Sequence, residues 1–278
     1  MELIDGKKIA ERIKDEIVQE ILKLGARPNL AIILVGERDD SKLYVKLKEK
    51  QAKEVGIDTH LYQCAADIAM SELISMIDFL NADESVDGIL VQLPLPDGLD
   101  ADKVVERIRP DKDVDGFHPY NLDKMLATCG YEIEPPLIGV IGEVLKEADC
   151  EVRGKLAVAA VNSEILGRAI KHFFECAGAR VELLYNGETA SNKWLKQADV
   201  LVTALGRPAA ISGEMLKDGA TVIDIGISRL PDGRVVGDVD AESTKGLSGF
   251  LTPVPGGVGP ITIAMAFKNT LRLFKEKK

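Results

Sequence analysis

Aromatic residues and net positive charge are both scarce in this chain of 278 residues. Aromatics make up 5% of the sequence, and the formal net charge at pH 7 is −10. Nucleic-acid binding requires a basic surface, and recognition of single strands also relies on aromatic stacking. These two shortages exclude a general nucleic-acid-binding protein, so we expect no nucleic-acid partner.

Long apolar runs are absent as well. No run reaches the roughly 18 residues that a membrane-spanning helix requires, and the opening segment MELIDGKKIAERIKDEI is charged and amphipathic, with no secretory apolar core. The four cysteines lie far apart and the three histidines stand in unrelated contexts, which matches no metal-ligand spacing. We therefore expect a cytoplasmic protein with no membrane partner and no bound metal.

Proline and glycine are concentrated in residues 252–262, which contain three of each and lead into an apolar segment typical of a helix. Proline fixes φ, whereas glycine permits positive φ and lets other groups approach the backbone. The segment therefore predicts a rigid loop at a helix N-terminus, where free N–H groups attract anions or carbonyls. The local chemistry of this segment is equally compatible with a plain turn and with a ligand-binding loop.

The hydrophobic periodicity predicts an α/β fold with two domains. In the first block, predicted helices at 7–24, 40–55 and 71–80 alternate with strands at 29–35, 58–63 and 88–91. In the second, strands at 156–161, 180–184, 200–203 and 221–225 alternate with helices at 165–177 and 192–197, which is typical of a Rossmann-like dinucleotide domain. We expect domains at 1–130, completed by a C-terminal helix at 258–278, and at 131–257.

Three sets of polar residues in the first block could carry chemistry. Tyr44 and Lys48 lie four residues apart on a predicted helix and so share one face. Gln92 ends a predicted strand, where open α/β sheets bind ligands, and residues 111–116 form an acidic turn that includes Asp115. Taken singly, these features are better explained by a solvated helix, a polar loop residue and a capped turn.

Together these features resemble one family, the methylenetetrahydrofolate dehydrogenase/methenyltetrahydrofolate cyclohydrolases, over nearly the whole chain. The resemblance rests on four motifs in order: Ser41-x-x-Tyr44-Val45-x-x-Lys48-x-Lys50, Asp87-Gly88-Ile89-Leu90-Val91-Gln92-Leu93-Pro94-Leu95-Pro96, Lys112-Asp113-Val114-Asp115-Gly116 and Pro253-Val254-Pro255-Gly256-Gly257-Val258-Gly259-Pro260. It implies a homodimer that uses NADP or NAD. It also implies oxidation of 5,10-methylenetetrahydrofolate to the methenyl form, followed by hydrolysis to 10-formyltetrahydrofolate.

The resemblance also implies a role for each matching residue. Lys48 would be the catalytic lysine of hydrolysis, Gln92 would position it, Tyr44 would stack against the folate and Asp115 would hold the pterin. The implied substrate-binding residues are Ser41, Pro255, Gly256, Gly257 and Val258. The implied cofactor-binding residues are Asn162, Ser163, Gly167, Asn186, Glu188, Gly206 and Ile227.

The nucleotide half departs from the family pattern. The family usually has Gly-Arg-Ser where this chain has Val161-Asn162-Ser163, and Ser-Arg-Thr where it has Asn186-Gly187-Glu188. A 2′-phosphate favours arginine, whereas a carboxylate suits a ribose diol, so we expect NAD to be preferred over NADP. The alternatives are ordinary NADP use, a cyclohydrolase whose dehydrogenase activity is weak or lost, and a non-catalytic folate- or nucleotide-binding relative.

Overall fold

The computed structural model describes residues 1–130, 133–185 and 193–277. Its helices are α1 Gly6–Leu24, α2 Asp39–Val55, α3 Met70–Ala82, α4 Ala101–Arg107, α5 Pro119–Ala127, α6 Pro136–Glu147, α7 Glu164–Cys176 and α8 Val258–Glu276. Its strands are β1 Glu2–Leu3, β2 Asn29–Val35, β3 Asp58–Cys64, β4 Gly88–Val91, β5 Leu156–Val161, β6 Arg180–Tyr185, β7 Val200–Ala204, β8 Thr221–Asp224, β9 Ser228–Arg229, β10 Val235–Val236 and β11 Phe250–Leu251. Among the described residues, no helix combines the length and apolar character needed to span a membrane.

The chain divides into two compact units. The small-sheet unit comprises Arg12–Pro136 and Ile263–Lys278, and the large-sheet unit comprises Met1–Glu11 and Leu137–Thr262. The predicted two-domain α/β class is therefore confirmed, with the C-terminal part of α8 in the small-sheet unit. The predicted division differs in the first eleven residues, because β1 pairs in parallel with β11 of the large sheet.

The small-sheet unit contains a parallel sheet in the order β3-β2-β4. Every residue of β4 is buried, and so are all but the first of β2, as expected for parallel strands covered on both faces. Packing against this sheet are Leu73, Ile77 and Leu80 of α3, which recur at helical spacing. Parallel strands end at one edge, so the carboxyl ends of β2 and β4 lie side by side.

The large-sheet unit contains a six-stranded sheet in the order β1-β11-β8-β7-β5-β6. All of its pairings are parallel. Strand β5 is buried along its whole length and lies between β7 and β6. Because β6 follows β5 on one side and β7 follows on the other, the chain reverses its winding direction at β5. A topological switch point of this kind is where doubly wound sheets bind nucleotides.

Several short elements escaped prediction. Helices α4 and α5 and the two-residue strands β1, β9, β10 and β11 are too short to show a clear period in the sequence. Helix α6 also escaped prediction, although its buried Ile138, Ile141, Val144 and Leu145 recur at helical spacing. Local capping starts two of these helices: the Asp100 side chain accepts a hydrogen bond from the backbone N–H of Lys103 at α4, and His118 accepts one from Tyr120 at α5. Capping of this kind stabilises helices too short for hydrophobic periodicity to reveal.

Candidate active site

Helix α2 carries Lys48 into the interior of the small-sheet unit. Its buried stripe consists of Ser41, Val45, Lys48, Ala52 and Val55, spaced three or four residues apart as one helical face requires. Lys48 keeps 9% of its surface exposed. The neighbouring Lys46 is exposed on another side of the helix, so position on the helix distinguishes these two lysines.

Gln92 meets Lys48 at the carboxyl edge of the small sheet. Its backbone N–H donates to the Ile33 carbonyl at 2.9 Å, which fixes it just beyond the end of β4. The Lys48 Nζ donates to Gln92 Oε1 at 3.0 Å, and Gln92 Nε2 donates to the Leu93 carbonyl at 2.7 Å. The second bond turns the amide so that its oxygen faces the lysine.

Asp115 reaches the same edge through an extension of the sheet. Asp113 forms a parallel bridge with Ile89 of β4, which places Asp115 beside the carboxyl end of that strand. The buried Asp113 carboxylate accepts backbone hydrogen bonds from Gly116 at 3.0 Å and His118 at 2.9 Å. Asp113 therefore shapes the turn that presents Asp115, a role that the motif in the sequence does not reveal.

The charges of this site influence one another. Burial lowers the pKa of Lys48, and the negative charge of Asp115 partly opposes that shift. Burial raises the pKa of Asp115 to about 6, although Lys48 opposes the change. The Tyr44 ring lies 5.6 Å from Lys48 Nζ, and burial raises the pKa of its phenol. The arrangement can hold an amine closer to neutrality than a solvated lysine, as acid-base chemistry requires.

Asn269 of α8 supports this site and escaped sequence reasoning. Its Nδ2 donates to the carbonyl oxygens of Val114 at 2.9 Å and Glu134 at 2.8 Å. The Val114 carbonyl immediately precedes Asp115, so α8 fixes the backbone that carries this carboxylate. No local pattern could have linked residues 155 positions apart.

In the large-sheet unit, Asn162, Ser163 and Gly167 follow the end of β5. The Ser163 hydroxyl caps α7 by accepting a hydrogen bond from the Leu166 N–H at 3.3 Å. A Cβ on Gly167 would lie 2.9 Å from Tyr185 Oη and 3.1 Å from Val161 Cγ2. Glycine therefore lets α7 pack closely on the sheet, as the last glycine of a dinucleotide fingerprint does.

Gly206 lies on the turn after β7, directly across the switch point from Asn162. The Asn162 N–H donates to the Ala204 carbonyl and Asn162 Nδ2 donates to the Leu205 carbonyl, each at 3.1 Å. Gly206 has φ of 65°, a conformation that glycine adopts without strain. A helix N-terminus beside a glycine turn at a switch point fits a dinucleotide, so these residues are compatible with the expected cofactor.

The remaining predicted site residues of this unit lie after β8, in the segment that follows β6 and in the proline-glycine segment before α8. Ile227 follows β8 and is 67% exposed, whereas Asn186 and Glu188 lie outside the described residues. In the proline-glycine loop, Pro255 is exposed, Gly256 has φ of 101° and Val258 is buried. The Gly257 N–H donates to the Pro253 carbonyl at 2.8 Å, which closes the loop just before α8 begins.

The fold and these residues define a class: a two-unit α/β protein with a buried lysine–amide site in one unit and a dinucleotide-type sheet in the other. Residues 4–115 match the family model for the tetrahydrofolate dehydrogenase/cyclohydrolase catalytic domain, and residues 137–278 match its NAD(P)-binding domain. The chain belongs to the tetrahydrofolate dehydrogenase/cyclohydrolase family.

Individual relatives agree along their full length. The bifunctional protein FolD of Halothermothrix orenii is 45% identical, with 98% of each chain covered. The structure of the Campylobacter jejuni FolD dehydrogenase/cyclohydrolase has a TM-score of 0.90 at 39% identity, with 99% of each chain covered. A Trypanosoma brucei FolD structure complexed with NADP and inhibitor has a TM-score of 0.91 at 32% identity, covering 99% of this chain and 97% of the other.

Proposed function

We propose that this protein oxidises 5,10-methylenetetrahydrofolate with a nicotinamide nucleotide and hydrolyses the resulting methenyl compound to 10-formyltetrahydrofolate. Family membership over both halves of the chain supports both reactions. The observation that carries the proposal is the hydrogen bond from buried Lys48 to Gln92 Oε1 at 3.0 Å. Hydrolysis requires a group that manages protons near neutral pH, and a desolvated lysine meets that requirement.

Each residue of the small-sheet site has a proposed part in hydrolysis. Neutral Lys48 accepts a proton from the water that attacks the methenyl carbon. As the ring opens, Lys48 returns this proton to the folate nitrogen whose bond to that carbon breaks, and the proton of the added hydroxyl is released to solvent. Gln92 holds the amine in place through its oxygen, and Tyr44 offers a flat face against which the folate can stack. Asp115 accepts hydrogen bonds from the N–H groups of the pterin, and Ser41 contributes to substrate binding.

The large-sheet unit supplies the proposed nucleotide site. Its cofactor-binding residues would be Asn162, Ser163, Gly167, Gly206 and Ile227, together with Asn186 and Glu188. A nicotinamide held there would supply the acceptor for a hydride from the folate. Because that hydride leaves toward an acceptor without proton transfer, orientation matters more than acid-base catalysis. The loop residues Pro255, Gly256, Gly257 and Val258 would border the folate.

Replacing Lys48 with methionine tests the proposal. Lys48→Met removes the amine and retains an unbranched chain, so hydrolysis of the methenyl compound should fall roughly 100- to 10,000-fold. Lys46→Met removes an exposed lysine from the same helix and should leave hydrolysis within about twofold. The rate of hydrolysis is measured from the decrease in the absorbance of the methenyl compound. Unchanged hydrolysis in Lys48→Met, with the protein folded, would exclude Lys48 as the catalyst.

We further infer a preference for NAD over NADP. The argument depends on the sequence Val161-Asn162-Ser163, which lacks the family's usual arginine, and on Glu188, whose carboxylate would repel a 2′-phosphate. Comparing kcat/KM for the two nucleotides decides the matter, and higher efficiency with NADP would overturn the preference. Intact hydrolysis without reduction of either nucleotide would instead favour a cyclohydrolase that has lost its dehydrogenase activity.

We also propose that the protein assembles as a homodimer, as the family resemblance implies. Sedimentation equilibrium measures the mass directly in solution. A dimer has twice the 30.1 kDa mass of the chain, whereas a monomer at micromolar concentration would contradict the proposal.

A further inference from the structure

Two buried aspartates lie together at the carboxyl edge of the large sheet. Asp224 ends β8 and Asp238 follows β10, and their exposed fractions are 2% and 0%. Burying one carboxylate without partners is costly, and burying two close together is more so. Burial raises the pKa of Asp224 to about 7, backbone N–H groups oppose that rise, and the charge of Asp238 adds to it. We name this pair the aspartate clasp.

Backbone N–H groups from several loops satisfy the clasp. Asp238 accepts hydrogen bonds from Leu205 N–H at 2.6 Å, Arg207 N–H at 2.8 Å and the Thr203 hydroxyl at 2.9 Å. Asp224 accepts them from the N–H groups of Gly226 at 2.9 Å, Asp238 at 3.1 Å and Val239 at 2.8 Å. The clasp therefore joins the ends of β7 and β8 to residues 237–239.

The glycines beside the clasp are required by its geometry. A Cβ built on Gly226 would overlap the carboxylate of Asp238, and a Cβ on Gly237 would overlap that of Asp224. Neither glycine has a positive φ, so backbone conformation does not explain them. Because glycine has no Cβ, the Asp238 carboxylate can approach the backbone of Gly226, and the Asp224 carboxylate can approach that of Gly237.

The turn that Asp238 holds is the one proposed to meet the nucleotide. The amides that it binds belong to Leu205 and Arg207, which flank Gly206. The Leu205 carbonyl is held from the other side by Asn162 Nδ2 at 3.1 Å. The N–H and the carbonyl of Leu205 are thus both hydrogen-bonded. These two bonds fix the position of Gly206 opposite Asn162 at the switch point.

We propose that Asp238 is a positioning residue for nucleotide binding. Its carboxylate fixes the Gly206 turn through two backbone amides, and Asp224 in turn holds the backbone N–H groups of Asp238 and Val239. The inference rests on the proposed function, because it takes the switch point as the nucleotide site. Asp238 itself does not touch the nucleotide. It acts by removing alternative conformations of the turn, so its loss weakens binding rather than the intrinsic reaction.

The decisive variant is Asp238→Asn, which keeps the size of the side chain. Its amide has one acceptor oxygen, and its NH2 group faces either the Leu205 or the Arg207 N–H, so two donors oppose each other. The matched control is Asp199→Asn at the opposite ends of the same strands. Asp199 lies just before β7. Its carboxylate accepts a hydrogen bond from the N–H of Leu156, at the start of β5, at 2.8 Å.

The measurements are calorimetric titrations with NAD and with NADP, amide hydrogen exchange at Leu205 and Arg207, and the rate of methenyl hydrolysis. For Asp238→Asn we expect the Kd of the favoured nucleotide to rise about tenfold or more, with faster exchange at both amides. Hydrolysis should stay within about twofold, since Lys48, Gln92 and Asp115 belong to the other unit. Asp199→Asn should leave the Kd unchanged.

Several results would overturn the inference. One is a Kd within twofold of the wild type in Asp238→Asn, and another is an equal rise in Asp199→Asn, which would indicate a general loss of stability. If Asp238→Asn does not fold, Thr203→Val removes only the hydroxyl donor, and we expect a rise in Kd of about threefold; no rise would decide against the clasp. Failure of the wild type to bind either nucleotide would instead contradict the proposed function.

Discussion

Two regions of the small-sheet unit each bury a lysine, and they treat its charge differently. Lys112 Nζ donates to three carbonyl oxygens, those of Leu80, Asn81 and Asp83, at 2.7 to 2.9 Å. Within the described part of the chain, Lys48 Nζ has one hydrogen-bond partner, Gln92 Oε1. Burial lowers the pKa of both amines. The difference lies in how many of the three ammonium donors are satisfied.

The number of hydrogen-bond partners distinguishes Lys112, whose contacts are structural, from Lys48, the lysine proposed to be reactive. Leu80 and Asn81 belong to the last turn of α3, where carbonyls lack helical partners and attract cations. Lys112 satisfies them and so requires its charge. Lys48 lacks such a cage, and Asp115 is the group whose charge favours its protonated form. A lysine that must gain and lose a proton is better served by few fixed acceptors.

The largest expected effect comes from exchanging the two lysines for methionine and measuring stability. Lys112→Met leaves three carbonyls without their donor, so the free energy of unfolding should fall by about 3 kcal/mol. Lys48→Met leaves one amide oxygen and removes a desolvated amine, so it should cost less than about 1 kcal/mol. Guanidinium unfolding at pH 7 measures both.

The comparison fails if the two variants lose equal stability. It also fails if Lys112→Met abolishes hydrolysis in protein that remains folded, because Lys112 would then belong to the chemistry. We expect Lys112→Met to be less stable but active in hydrolysis, and Lys48→Met to be nearly as stable as wild type but inactive.

Sequence reasoning singled out Lys48 as the lysine proposed to be reactive, and it missed the residues that support the site. Lys48 and Tyr44 share one face of a helix and Gln92 ends a strand. Each pattern alone favoured a structural explanation, and the family resemblance is what singled these residues out. The roles of Lys112, Asn269 and Asp238 depend on backbone groups that only the folded chain brings near. Helices α4 and α5 were missed because local caps, rather than a long apolar period, define them.

A second prediction concerns the charge that acts on Lys48. Asp115→Asn removes the carboxylate that favours the ammonium form, so the pKa of Lys48 should fall further. If the neutral amine is the base, the rising limb of hydrolysis against pH should move to lower pH by about one unit. The control is Asp111→Asn in the same acidic turn, whose carboxylate instead pairs with Arg109. If the rising limb of the pH profile does not move in Asp115→Asn, the charge of Asp115 does not influence the pKa of Lys48.

A third prediction concerns the change of stability with pH, and the direction of the pKa shift of Asp115 fixes its sign. Because the pKa of Asp115 is raised to about 6 on folding, the folded state binds more protons than the unfolded state between about pH 4 and pH 6. Its contribution to stability therefore falls as pH rises through that window.

Replacing Asp115 with asparagine removes this pH-dependent contribution, so the variant should gain about 2 kcal/mol relative to wild type between pH 4.5 and pH 7. Asp40 has the opposite shift, since its hydrogen bond to Arg38 lowers its pKa to about 2. Asp40→Asn should therefore compare less favourably with wild type at pH 7 than at pH 3. Urea unfolding at each pH measures the difference in stability between each variant and wild type. If this difference changes in the same direction with pH for both variants, folding does not raise the pKa of Asp115.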